Sequence, residues 1–163
     1  MRNEGLEERL ARIEAIEEIR RLKARYCLHC DRGYDGEALA ALFTADAVWD
    51  AGPHRGVFRG RQAIRDFFAA ISSAIPYAAH LVTNPLIEVE GDAARGNWRM
   101  LMPCMLREGG TEIAAFQVAE YDETYTRIDG TWLIAGLKVR LRRLTVPAGK
   151  WKDPSFEDDS NRQ

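Results

Sequence analysis

From residue 78 onward the sequence becomes four strand-like stretches, 78–92, 93–110, 111–130 and 131–146, separated by Gly91-Asp92, Gly109-Gly110 and Asp129-Gly130. Glycine and aspartate supply the positive φ angles of tight hairpin turns, and Asp129-Gly130 is the strongest of these signals. Strands joined only by tight turns pair with their sequence neighbours, so this half of the chain reads as an antiparallel meander. Strands of this length curl. One concave face can then pack on helices and leave a pocket between the two layers.

The helices come first. Leu6, Leu10, Ile13, Ile16, Ile19 and Leu22 recur every three or four residues with Glu and Arg between them. That spacing predicts an amphipathic helix from about residue 5 to about residue 30, with an inward-facing apolar seam. Gly33 and Gly36 end it, and Asp35 is placed to cap a short second helix reaching to about Thr44. A short strand over 46–51 stops at the turn 52–56. A third helix follows, with Ile64, Phe67, Phe68 and Ile71 on one face and Pro76 beyond its end. Helices followed by a run of strands is α+β order, without βαβ alternation. The expected organisation is one domain over residues 1–146 and a polar tail over 147–163 with isolated Trp151 and Phe156, disordered or draped over a neighbour.

With 163 residues, a net charge of −2 and arginines balanced by acids along the chain, nothing points to nucleic acid or membrane as a partner. The N-terminal residues contain no apolar core of the kind a secretory signal needs. Three cysteines, an odd number, are expected to be free thiols in a reducing cytoplasm.

The segment Arg25–Gly36 concentrates the candidate chemistry. Cys27 and Cys30 form C-x-x-C with His29 between them. A zinc site needs four ligands, and only Cys104, His54 and His80 remain elsewhere. The motif also falls near the end of a long helix rather than opening one after a strand, so small apolar filler is the expected role and no metal is expected. Asp31 shares a helix face with Cys27, close to Tyr26. It reads either as an exposed cap or as a buried carboxylate that requires a partner. His80 lies in an apolar strand-like run, where it is either a core residue or a base. If the two meet, the carboxylate would fix the imidazole tautomer and leave the other ring nitrogen as a better base, with Tyr26 a hydrogen-bond donor beside it. Trp49, Trp98, Met100, Met102 and Phe116 could line a hydrophobic cavity or simply fill the core. Arg140 shares one strand face with Lys138 and Arg142 and could reach a cavity mouth.

Taken in order, the segments 13–50, 56–68, 80–98 and 121–141 resemble the SnoaL-like branch of the NTF2-like superfamily, over about residues 7 to 145. The resemblance implies a cone in which a curved antiparallel sheet is wrapped by three helices around a deep apolar pocket. It implies enzymes such as dehydratases, a dehydrochlorinase, cyclases and an isomerase, most of them working without metal or organic cofactor. It assigns His80 as base, Asp31 as its partner and Tyr26 as hydrogen-bond donor, with an arginine near the last strand, Arg140 or Arg142, as an assistant in some members. The resulting expectation is a cofactor-independent lyase of dehydratase type acting on a small hydrophobic, cyclic substrate. An isomerase, a polyketide-cyclase-type enzyme and a non-catalytic binding module are the alternatives. A homo-oligomer is expected, a trimer before a dimer.

Overall fold

A computed structural model describes residues 5–53 and 55–147. The expected tail beyond Pro147 and His54 lie outside the described residues. The elements run α1 (Leu6–Asp31), α2 (Gly36–Ala40), β1 (Phe43–Asp50), β2 (Val57–Arg59), α3 (Arg61–Ile71), β3 (Tyr77–Ala78), β4 (Leu81–Glu90), β5 (Ala93–Glu108), β6 (Thr111–Ile128) and β7 (Thr131–Thr145). One sheet runs β2-β1-β7-β6-β5-β3, with β4 also paired to β5.

The meander is antiparallel throughout, β4 on β5, β5 on β6 and β6 on β7. Asp129 and Gly130 both take positive φ, 49° and 77°, which matches the twist of the strands they join. Register shifts on β4 at Thr83/Leu86 and on β6 at Val118/Ala119 and Thr124/Tyr125 bend the long strands. The sheet is nevertheless mixed, because β1 pairs with β7 in parallel. This strand arrives from the helical half of the chain, so no hairpin dictates its direction. It occupies the edge of β7 that the meander leaves open.

Two helices differ from the sequence expectation, one in where it ends and one in how much of it is buried. The second helix stops at Ala40, short of Thr44, because Phe43 is already paired with Ile134 of β7. Leu6, Leu10 and Ile13 are largely exposed, and the buried face of α1 begins only at Ala15. A 26-residue helix overreaches the sheet, so only its second half finds a partner surface. From there Ile19, Leu22, Lys23, Tyr26, Cys27 and Cys30 face the concave side of the sheet. Gly36 lets α2 lie against α3: a Cβ there would come within 2.7 Å of the Arg65 carbonyl oxygen. No helix among the described residues is long and apolar enough to cross a membrane.

Candidate active site

Asp31 is the last residue of α1. The carbonyl end of a helix dipole disfavours a carboxylate, so the position needs compensating donors. His80 supplies them. Its backbone N–H donates to Asp31 Oδ1 and Oδ2, at 2.9 and 3.1 Å, and its ring Nδ1 lies 2.6 Å from Oδ1. The backbone donor is free because strand pairing lapses between Ala78↔Cys104 and Leu81↔Leu101, and the Pro103 carbonyl opposite already accepts from the Ala79 N–H at 3.0 Å. His80 sits in that lapse. A carboxylate accepts and does not donate, so Nδ1 carries the ring proton toward Asp31 and Nε2 is the nitrogen left with a lone pair. The His80 side chain is 6% exposed while that of Asp31 is 32% exposed, which leaves the acid partly hydrated and the imidazole inside.

His80 lines a narrow interior cavity of about 40 Å³ together with Tyr26, Tyr34, Trp49, Phe68 and Tyr121. That volume holds roughly two or three waters, so a ring-sized ligand enters by displacing side chains. Met100 and Met102, both in the lining, are the adaptable ones. Tyr26 is held edge-on by Phe43, Phe68 and Tyr121, and its hydroxyl accepts from Trp49 Nε1 at 3.3 Å. Its own O–H faces the Cys30 sulfur, a weak acceptor that a better one can replace. Burial pushes the phenols of Tyr26, Tyr34 and Tyr121 well up, so all three stay protonated and keep an O–H to donate at ordinary pH.

Tyr34 was not singled out in the sequence. It follows Gly33 with φ 59°, donates its backbone N–H to His29 and Cys30 to close α1, and so turns its ring under the helix end. There it stacks on Phe68 and meets the His80 ring edge-on at 6.1 Å. The local signal is Gly33 itself: a glycine in the left-handed region commonly ends a helix and turns the chain back under it, which places the next residue at the helix end.

Of the other residues considered from sequence, Trp49, Met100 and Met102 line the cavity, and Trp98, Phe116 and Arg140 do not. Trp98 points inward but donates to the Tyr125 hydroxyl at 3.0 Å, further along the sheet. Phe116 occupies the strand face opposite to that of buried Ala115 and Gln117. Arg140 is bound to Asp122 on the outer face of the sheet. The C-x-x-C thiols face the core as free cysteines, and burial raises both, that of Cys27 to about 11. Among the described residues no cluster of three or more His, Cys, Asp or Glu has the arrangement to hold a metal.

A buried ion pair backs the cavity. Lys23 and Glu123 are completely buried and bonded to each other, and Tyr125 donates to the second oxygen of Glu123. The Lys23 ammonium lies 3.4 Å from the centre of the Tyr121 ring and 4.5 Å from that of Tyr26. It thus braces two of the phenols that line the cavity.

The family profile of the SnoaL-like domain matches residues 11–138. The chain belongs to the SnoaL-like family. Solved structures with this SnoaL-like fold include a hexachlorocyclohexane dehydrochlorinase of type 2 (LinA), with TM-score 0.81 and 24% identity over 90% of this chain and 98% of that one. A protein from Novosphingobium aromaticivorans assigned as a scytalone dehydratase has TM-score 0.73 and 22% identity, over 88% of this chain and 95% of the other. A function-unknown protein of Mycobacterium tuberculosis has 30% identity and TM-score 0.71, over 86% and 78% of the two chains. No curated protein matches the sequence significantly. The α+β order read from the sequence and the cone that the resemblance implies agree with the architecture these SnoaL-like relatives share, and a small-molecule catalytic or binding role fits it.

Proposed function

We propose that this SnoaL-like protein is a lyase that eliminates a leaving group from a small hydrophobic, cyclic substrate, with His80 as the general base. The observation that carries the proposal is the double hold of Asp31 on the backbone N–H and ring Nδ1 of His80, which leaves Nε2 for the cavity. Nε2 takes a proton from the carbon beside a carbonyl or a leaving group. The C–H electron pair becomes the new double bond, and the leaving group departs with its own pair. Asp31 stabilises the imidazolium that forms. Tyr26, kept protonated by burial, donates to the carbonyl oxygen or the departing atom. Relatives named as a dehydrochlorinase and a scytalone dehydratase support an elimination before other proton transfers.

The test is turnover of a panel of cyclic hydroxy-ketones, alcohols and halides by wild type beside His80→Ala. Wild type is expected to release water or halide, and the variant to be slower by about 10²–10⁴-fold. Equal turnover by the two proteins rules His80 out as base, and a rearranged product without loss of a group identifies an isomerase using the same dyad. The same reading expects a homo-oligomer, a trimer before a dimer. Leu81, Leu101 and Val118 are cross-strand neighbours exposed on the sheet and offer an apolar face for it. Light scattering that returns the monomer mass would end that expectation.

A further inference from the structure

A groove of about 600 Å³ lies outside the cavity, between the 50–57 segment and β7. Ala51, Arg55, Gln117 and Val139 line both spaces, so the cavity and the groove adjoin at a neck these four form. The cations of the groove differ in how they are held. Lys138 is bound to Asp50 at 3.0 Å, and Arg140 to Asp122. The backbone N–H of Arg55 donates to the Gly52 carbonyl at 3.3 Å, but among the described residues its guanidinium takes part in no hydrogen bond or ion pair. Its charge still reaches inward, because it works against burial to lower the Tyr34 phenol and the Cys104 thiol.

Gln117 adds a second polar group at the neck. It is 4% exposed, and its Nε2 donates at 3.5 Å to Cys104 Sγ, a weak acceptor. The amide oxygen and the second N–H remain for a ligand. The neck therefore combines a planar cation without a counter-ion among the described residues and an underused amide, at the rim of an otherwise apolar cavity. A guanidinium recovers the hydration lost at an apolar rim most completely from a carboxylate, which it binds through two parallel hydrogen bonds.

We propose that Arg55 is a specificity residue that binds a carboxylate carried by the substrate, whose apolar ring enters the cavity beside His80 while its charged end stays in the neck against Arg55 and Gln117. This deepens the lyase reading and rests on its assignment of the cavity as the substrate site. The substrate class is then an alicyclic or aromatic acid rather than a neutral hydrocarbon or halide. Length fits as well: with Met100 and Met102 displaced the cavity takes the reacting ring, and the groove accommodates what is attached to it.

The experiment is binding, so that it stands apart from catalysis. Cyclohex-1-ene-carboxylate with its carboxamide, and 2-naphthoate with its carboxamide, are titrated at low salt by calorimetry and by quenching of tryptophan fluorescence. Wild type is expected to bind each acid at least about 10-fold more tightly than its amide. Arg55→Gln is expected to abolish that preference while leaving the affinity for the amide unchanged, and Arg55→Lys to keep part of it. His80→Ala is expected to retain the full preference. Equal affinity of wild type for acid and amide, an undiminished preference in Arg55→Gln, or no binding of either pair overturns the proposal. Should the preference stand while His80→Ala turns over substrate normally, the base assignment fails and the carboxylate site does not.

Discussion

Replacing Lys23 with methionine keeps most of the side-chain volume and removes the charge that Glu123 faces. Both side chains are 0% exposed, so no water can take the place of the lost partner. Breaking a buried pair from one side costs about 3–5 kcal/mol, because the remaining ion is left uncompensated. The cation–π contact with Tyr121 at 3.4 Å is lost as well and adds to that figure. A chain of this size shifts by roughly 2–4 °C per kcal/mol, so Lys23→Met is expected to melt about 6–20 °C below wild type. The double variant Lys23→Met/Glu123→Gln should behave differently. It has no buried charge, and the glutamine oxygen can still accept from Tyr125. Exchanging a buried pair for neutral groups is often close to neutral overall, so the double variant should regain at least about 2 kcal/mol of what the single one lost. The assay is urea unfolding of wild type, both singles and the double, analysed as a double-mutant cycle. A Lys23→Met protein within about 1 kcal/mol of wild type, or a double variant no more stable than the worse single, would refute the reasoning.

Tyr26→Phe removes one donor from the cavity and leaves its packing in place, so kcat should fall by about 10²–10³-fold with the melting temperature little changed; an unchanged kcat removes Tyr26 from the chemistry. Burial raises all three thiols, Cys27 to about 11, so native protein at pH 8 should resist iodoacetamide and become reactive in urea; fast native labelling would contradict the packing. The Asp50 carboxyl is held below its usual value by the Gly52 N–H and by Lys138. A lowered folded-state value stabilises above the unfolded value and is lost as pH falls through the folded one. Asp50→Asn should therefore destabilise slightly at pH 6, and the difference from wild type should close as the pH falls below about 4; a penalty that persists at pH 3 means the effect is not this ionisation.

The meander was legible because each turn carries its own glycine or aspartate and each strand its own alternation. The parallel placement of β1 was not, since no local residue chooses which edge of β7 it joins. Hydrophobic spacing located α1 to within a residue but could not show that Leu6, Leu10 and Ile13 lie past the edge of the sheet. Within the site, Asp31 and His80 were identifiable as types, while their contact depends on a ladder lapse at Pro103 and on 49 residues of intervening chain. Lys23 could have been found. It lies four residues from both Ile19 and Cys27, on the buried stripe, and Glu123 lies between Tyr121 and Tyr125 at inward positions of β6. A charge on the inner face of each element is a readable sign that the two are partners. Arg55 gave no such sign, because a turn residue's reach is set by the turn and not by a periodicity.

The most direct measurement is the tautomer of His80, read from its ring nitrogens in ¹⁵N spectra of the native protein, with His80→Gln identifying the signals. The dyad requires that the neutral ring carry its proton on Nδ1, hydrogen-bonded to Asp31, with Nε2 bare and facing the cavity, and that Asp31→Ala weaken this preference. A neutral His80 ring protonated on Nε2, with no change on removal of the Asp31 carboxylate, would contradict its role as the base.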